Sequence, residues 1–214
     1  MHSMIRSTAL ALALTVSGGV LLTAGGVVAR AELTRTPAEV RAGAYKLDSD
    51  HGKITWGVSH LGFSTYFGQF VNVQAELVLD PANPSASRLT ATIPLTDVDS
   101  NSDGLDGHLQ TADFFDTANH PTATFVSRSI TVDADDPTEA TVVGDLTLRG
   151  VTRPVTMEVQ FNQAGPSMGG VYKAGFDGEA VIKRSDFGIS YALPVLGDEV
   201  KLHIEGEFVL QPSA

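Results

Sequence analysis

Residues 108–120 contain the side chains best suited to chemistry: His108, Asp113, Asp116 and His120. Imidazole and carboxylate groups can bind a metal ion or transfer protons near neutral pH. The spacing fits no standard metal motif, however, and His108 and Asp113 would fall on different faces of a single helix. The sequence therefore favours a structural role, in which hydrogen bonds fix a helix end. An enzyme of unknown type built around His108 and Asp116 is the alternative.

A polar segment, residues 99–104, matches the first half of a calcium-binding loop. It places acidic or amide side chains at the first three ligand positions and a glycine at the sharp turn. The second half departs from the motif, because Gln110 stands where a bidentate Glu is needed and Asp106 stands where an apolar residue is usual. We therefore expect a polar turn that precedes a helix, with no specific metal site.

Arg184, Ser185 and Asp186 could be taken for part of a catalytic set. No serine lies in a nucleophile-elbow sequence, however, and the chain has no cysteine, so a covalent nucleophile is not indicated. We expect Arg184 and Asp186 to order the loop that follows them.

His60 ends an apolar strand face and is interpreted as a residue of the core or of a cavity mouth.

The elements that position these residues are mainly strands, because apolar and polar side chains alternate with a period of two. The clearest case is a hairpin, in which residues 142–148 and 155–161 alternate on either side of a turn at Arg149 and Gly150. Residues 104–113 have helical spacing instead, and Asp103 is the expected N-cap. Further strands are predicted at residues 44–50, 54–60, 71–79, 89–96, 123–133, 172–184 and 202–208.

These strands predict an all-β protein, an antiparallel up-and-down β-barrel of about eight strands with a short helical insertion. A barrel of that size can be filled by side chains or can hold one small ligand. We expect the apolar faces to point inward. Pro94 cannot donate to a strand ladder, which predicts an edge or bulge that could pair across a homodimer. The predicted barrel lining, which would contact a ligand, consists of Trp56, Val58, Val73, Leu77, Leu79, Ile93, Phe114, Leu146, Met157, Phe176, Ile182, Ile204 and Phe208.

The N-terminus has the pattern of a secretory signal peptide, predicted at residues 1–31. Arg6 precedes an uncharged run over residues 7–29, and Ala29 and Ala31 place small side chains where a signal peptidase reads them. We expect this segment to be cleaved. Its retention as a membrane anchor is the alternative.

Cleavage would leave a linker at residues 32–43 and a single domain at residues 44–211, located in the periplasm or secreted. The absence of cysteine excludes both disulfides and a lipid-anchored lipoprotein start. The net charge of −11 argues against nucleic acid and anionic membrane surfaces as partners.

Three motif segments carry a resemblance to a known family: residues 107–116 (GHLQTADFFD), 144–155 (GDLTLRGVTRPV) and 184–189 (RSDFGI). With Pro121 and residues 125–127, they occur in the order typical of YceI-like proteins, and the chain resembles that family over nearly the whole predicted domain. The resemblance implies an extended lipocalin-like barrel in an exported bacterial protein. It also implies that the barrel binds a polyisoprenoid, such as a quinone tail or a polyprenyl chain.

One position departs from the family pattern. YceI-like proteins usually have an Arg-Asp pair just before His-Leu, whereas this chain has Leu105, Asp106 and Gly107 at that place. The chain therefore lacks the arginine of that pair and any salt bridge that it makes in relatives.

The residues and the resemblance together predict a non-enzymatic carrier that holds a polyisoprenoid, a quinone-like lipid or another long apolar lipid. An apolar lining solvates such a chain because burial removes its surface from water, at roughly 25 cal/mol per Å². No cofactor, metal or catalytic residue is expected, and the lipid is the only ligand. The alternative is an envelope stress or interaction protein whose barrel is filled by side chains. The size of the interior cavity distinguishes the two.

Overall fold

The computed structural model describes residues 32–212, so the predicted signal peptide lies outside the described residues. This part of the chain is mostly β-structure with one α-helix. Its elements are β1 (Gly43–Leu47), β2 (Lys53–His60), β3 (Ser64–Phe70), β4 (Gln74–Leu79), β5 (Arg88–Pro94), β6 (Val98–Asp99), α1 (Asp103–Leu109), β7 (Thr122–Val132), β8 (Glu139–Leu148), β9 (Val151–Pro166), β10 (Tyr172–Lys183) and β11 (Leu196–Leu210).

A closed barrel forms the body of the molecule. Its strands follow the order β1-β4-β5-β7-β8-β9-β10-β11, and β1 pairs with β11 to close the ring. Tyr45 lies opposite Leu210 in that closing ladder, and all neighbouring strands are antiparallel. The structure thus confirms the predicted all-β antiparallel barrel of eight strands with one helix.

The strand order departs from a simple succession at β2. Strand β11 is long enough to pair with two strands on one side, because its last residues meet β1 whereas residues 196–205 meet β2. Strands β3 and β6 continue outward from β2. The arm made by β2, β3 and β6 therefore extends the barrel wall at one end, which we call the upper end.

Strand β3 was not predicted from the sequence. The expected strand over residues 71–79 begins only at Gln74, because Asn72 takes a left-handed backbone with φ of 57° and ends any continuous strand there. The missed strand places Tyr66, Gly68 and Phe70 on one face.

Pro94 occupies the edge position that its missing N–H predicted. It lies opposite Thr122 of β7, but the ladder with β4 ends at Gln74 opposite Thr92. Pro94 therefore lies beyond the end of β4, so β4 needs no backbone N–H donor from this position. The homodimer stays a prediction.

The helix is shorter than predicted and begins differently. Its N-cap is Ser102 rather than Asp103, and it ends at Leu109 rather than at residue 113. The reason is a tight set of turns after the helix, in which the Phe115 amide donates to the Leu109 carbonyl at 3.0 Å. Within residues 32–212, no helix is both long enough and apolar enough to cross a membrane.

The predicted hairpin turn is present between β8 and β9. Leu148 pairs with Val151, and Arg149 and Gly150 have φ of 51° and 71°. Two left-handed residues in a two-residue loop match the right-handed twist of the flanking strands. A Cβ on Gly150 would lie 2.8 Å from Cε1 of His120, so the turn also needs glycine for that contact.

The predicted linker, residues 32–43, is held against the barrel, and its last residue, Gly43, already begins β1. Thr34 and Ala164 exchange two backbone hydrogen bonds of 2.7 and 2.8 Å. Val40 is buried in the hydrophobic core. This segment therefore belongs structurally with the barrel.

Candidate functional site

The upper end of the barrel encloses a cavity of about 450 Å³, called the upper cavity here. Its wall is almost entirely apolar and is built from inward-facing residues of β2, β3, β5, β7, β8, β10 and β11, closed on one side by α1 and the turns after it. Six predicted lining residues border this cavity: Trp56, Val58, Ile93, Phe114, Leu146 and Ile182.

A second cavity of about 180 Å³, the lower cavity, lies further along the barrel. Leu202 borders the upper cavity and Ile204, the next inward residue of β11, borders the lower one, so the two cavities are neighbours. Val73 borders neither and is buried in the core instead. Six predicted lining residues border the lower cavity: Leu77, Leu79, Met157, Phe176, Ile204 and Phe208.

Trp56, the only tryptophan of the chain, forms part of the upper wall. Its ring stacks on Tyr66 with a centroid distance of 6.3 Å. A Cβ on Gly68 would lie 2.2 Å from Cζ2 of Trp56, so the indole lies directly on the glycine backbone. Among the described residues, the Trp56 Nε1–H is the one buried side-chain polar group without a hydrogen-bond partner.

His108 belongs to an aromatic cluster at the wall of the upper cavity. Its ring meets Phe114 and Tyr191 edge-on, each at 5.1 Å between centroids. Its Nε2 lies 3.1 Å from Oδ2 of Asp113. The expectation that His108 and Asp113 point apart was wrong, because the helix ends at Leu109 and the following turns bring Asp113 back.

Asp116 and His120 contact other residues than His108 does. The Asn119 side-chain amide lies 3.0 Å from both carboxylate oxygens of Asp116, and the His120 ring packs on Gly150. The sequence cluster therefore divides into local contacts that fix the turns after α1, which is the predicted structural role.

Arg184 organises the loop at the mouth of the upper cavity. It is buried, and its guanidinium donates to the backbone carbonyls of Ile189, Tyr191, Leu196 and Gly197 at 2.7 to 3.1 Å. Burial lowers the pKa of Arg184. The predicted ordering role of Arg184 is thus visible in the structure.

Asp198, rather than the predicted Asp186, supplies the carboxylate of this loop. It accepts hydrogen bonds from the Ser185 amide at 2.9 Å and from the Ser185 hydroxyl at 2.7 Å. Burial raises the pKa of Asp198, but these hydrogen bonds and the nearby Arg184 charge outweigh it, so the pKa lies below its usual value. Asp198 reaches the loop from β11, a contact that sequence adjacency could not indicate.

Arg149 joins the two loops that border the cavity. One guanidinium nitrogen donates to the carbonyl of Gly188 and another to the carbonyl of Ala112, each at 2.8 Å. The turn after β8 therefore holds the end of the helical insertion against the loop after β10.

In the calcium-like segment, residues 99–104, backbone amides already donate hydrogen bonds to the carboxylates. The Asp99 carboxylate accepts from the Asn101 amide at 2.8 Å, and the Asp106 carboxylate accepts from the Ser100 amide at 2.8 Å. These bonds form the predicted polar turn before the helix. Leu105, at the position of departure from the family pattern, borders the upper cavity.

A charged cluster lies at the lower end of the barrel. Asp48, His51 and Glu207 are close enough together to hold a cation, but Lys173 already places its ammonium 2.8 Å from Asp48 and 2.6 Å from Glu207. The hydrogen bond from Lys173 is the largest cause of the lowered pKa of Asp48, and its bonds to Asp48 and then Glu207 raise the pKa of Lys173.

Replacing Lys173 with methionine should lower the free energy of unfolding by about 1–2 kcal/mol at neutral pH, since hydrogen bonds to charged groups are lost. Asp48 has a lowered pKa in the folded state, so its contribution is present above its unfolded value of 3.8 and is lost as the pH falls through the folded value. Urea unfolding of wild type and variant at pH 7 and pH 3 measures this difference. Lys46→Met, at an exposed position of β1, is the matched control. An equal difference at both pH values would contradict the assignment.

Sequence reasoning missed several residues of the upper cavity, among them Tyr66, Phe70, Leu61, Tyr191 and Val195. The signal for the first two was an aromatic alternation in residues 64–70, which Gly68 interrupted. Tyr191 and Val195 lie in a loop, where no periodicity marks the inward side.

Comparison with known proteins places this geometry in a family. A YceI-like domain matches residues 45–208, which include the whole closed barrel except its outermost strand ends. The chain belongs to the YceI-like family. The resemblance drawn from the motif segments is thereby confirmed.

Individual YceI-like relatives agree with this assignment. Protein YceI of Escherichia coli is 40% identical over 172 residues, which make up 79% of this chain and 88% of the relative. The crystal structure of Burkholderia cenocepacia BcnA superposes with a TM-score of 0.68 at 26% identity, covering 75% of this chain and 98% of BcnA. A polyisoprenoid binding domain from Saccharophagus degradans, at 15% identity and a TM-score of 0.56, shares the fold and covers 80% of this chain and all of that domain (100%).

Proposed function

We propose that this protein binds one long apolar lipid of the polyisoprenoid class in the upper cavity, with the tail directed toward the lower cavity. It acts as a carrier and performs no turnover. The observation that carries the proposal is a cavity of about 450 Å³ with an apolar wall inside a closed barrel. This volume favours the carrier over an interaction protein with a filled interior.

The size and chemistry of the upper cavity suit a lipid. Its volume lies within the range of roughly 300–1,000 Å³ that is typical of small-molecule sites. Each methylene that moves from water into such a wall contributes about 0.8 kcal/mol without directional contacts. The same class of ligand is named for the Saccharophagus domain, which makes isoprenoids the first compounds to test.

A few polar groups in the wall suit a head group with hydrogen-bond acceptors. Trp56 carries a buried N–H that has no partner among the described residues, and an unpaired donor of this kind costs about 1–3 kcal/mol. His60 and Tyr191 border the cavity near its mouth. A quinone or ether oxygen held in this part of the wall would offset some of that cost.

The proposed place of action is outside the cytoplasm, in the periplasm or beyond. It rests on the secretory signal pattern of residues 1–31 and on a chain without cysteine, which needs no thiol protection in an oxidising compartment. A carrier there would shield an isoprenoid tail from water.

The single tryptophan provides a direct test. Titration with quinones that carry one to several isoprene units should quench the fluorescence of Trp56. The apparent affinity should rise with tail length until the cavities are full, because each added unit buries more apolar surface. Free N-acetyltryptophanamide titrated with the same quinones is the control for inner-filter effects. Saturable binding by none of these quinones, in fluorescence and in equilibrium dialysis, would overturn the proposal.

A further inference from the structure

Exposed apolar side chains gather at the upper end of the barrel. Phe63, at the tip of the turn between β2 and β3, is 89% exposed. Leu61 in the same turn, and Tyr191 and Val195 in the loop before β11, are also exposed. Together with Phe67 these residues form a surface that we call the rim.

The rim is the edge of the upper cavity. Pairing of Leu196 with His60 brings the loop before β11 beside the turn of residues 61–63. Leu61, Tyr191 and Val195 each border the cavity while remaining exposed to solvent. The apolar surface is therefore continuous from the cavity wall to the outside.

The rim residues themselves also carry no charge. Residues 54–75 and 187–197 contain no Asp, Glu, Lys or Arg, although the chain has 39 such residues in all and a net charge of −11. The nearest charged groups lie beside the rim: Asp113 contacts His108, whose ring meets Tyr191, and Arg149 donates to the Gly188 carbonyl. Arg184 lies beneath the rim but is buried and donates to backbone carbonyls. A face with aromatic and aliphatic side chains and no charge loses little when it leaves water.

We propose that the rim docks on the surface of a phospholipid bilayer, where Phe63 and its neighbours insert between the head groups. This inference rests on the proposed function, because a lipid would then pass between bilayer and cavity without crossing water. The acidic body of the protein excludes electrostatic attraction to anionic lipid as the cause. Attachment instead depends on apolar insertion, which salt does not screen.

Vesicle flotation with phosphatidylcholine tests the rim. The wild-type protein should float with the vesicles equally at low and high salt, and Phe63→Ser should reduce the bound fraction about tenfold. Met168→Ser is the matched control. Met168 is 100% exposed and lies in the turn between β9 and β10, at the opposite end of the barrel from the rim, so its replacement should change nothing.

The outcomes separate this inference from the proposed function. Wild-type protein that binds quinone but does not float would overturn the rim proposal alone. Protein that floats through Phe63 but binds no isoprenoid would overturn the proposed function alone. Sedimentation that shows a dimer dissociated by Phe63→Ser, with no flotation, would mean that the rim contacts a second copy and would also contradict bilayer docking. Phe63→Ser should fold normally because the side chain is exposed.

Discussion

Replacing Arg184 with methionine should lower the free energy of unfolding by about 3 kcal/mol or more. The wild-type guanidinium donates to four backbone carbonyls of the mouth loop, and methionine has no donor to offer them. Buried carbonyls that lose their partners cost more than an exposed hydrogen bond would. For a domain of this size, the melting temperature should fall by about 6–12 °C.

Two further variants keep this result interpretable. Arg184→Lys retains the charge but offers fewer donors in a less suitable geometry, so its stability should lie between those of wild type and Arg184→Met. Arg153→Met changes an exposed arginine of β9 and should leave the melting temperature within about 2 °C of wild type. Calorimetry that finds all three variants equal would show that Arg184 does not hold the loop.

Replacing Leu202 with tryptophan should strongly weaken lipid binding while the protein still folds. The indole would occupy part of the upper cavity, which has about 450 Å³ to receive it. We expect the affinity for an isoprenoid quinone to fall by at least about 100-fold. The indole would displace a few methylene groups of the lipid from the cavity, and burial of those groups contributes about 3 kcal/mol to the binding free energy.

Ile204→Trp is the matched control for this variant, because Ile204 lies on the same face of the same strand but borders the lower cavity. Short-tailed quinones should bind to it as they do to wild type, whereas long-tailed ones should bind more weakly. Equilibrium dialysis with labelled quinones measures both. Equal loss of short-tailed binding in the two variants would contradict the division of roles between the cavities.

The barrel was predictable because its cause is local. A half-buried strand must alternate apolar and polar side chains. The alternation in the sequence therefore predicts that residues such as Leu146, Ile182 and Ile204 point inward. Almost all of the predicted lining residues border a cavity in the structure. Val73 is the exception. The left-handed backbone of Asn72 turns the chain just before Val73, and the Val73 side chain is buried in the core.

What the sequence could not predict depends on distant parts of the chain. The division of the interior into two cavities follows from how eight strands stack their side chains, and no single strand records it. The contact between His108 and Asp113 depends on where the helix ends, which the turns after Leu109 determine. The contact between Ser185 and Asp198 likewise joins two elements that only the fold brings together.

Mass spectrometry of an organic extract, taken from protein purified without detergent from a bacterial envelope, tests the central claim most directly. The wild-type extract should contain a single class of long isoprenoid lipid, close to one molecule per chain. Leu202→Trp protein from the same preparation should carry far less of it. Wild-type protein whose extract contains no lipid, and which takes up none from added isoprenoids, would contradict the account.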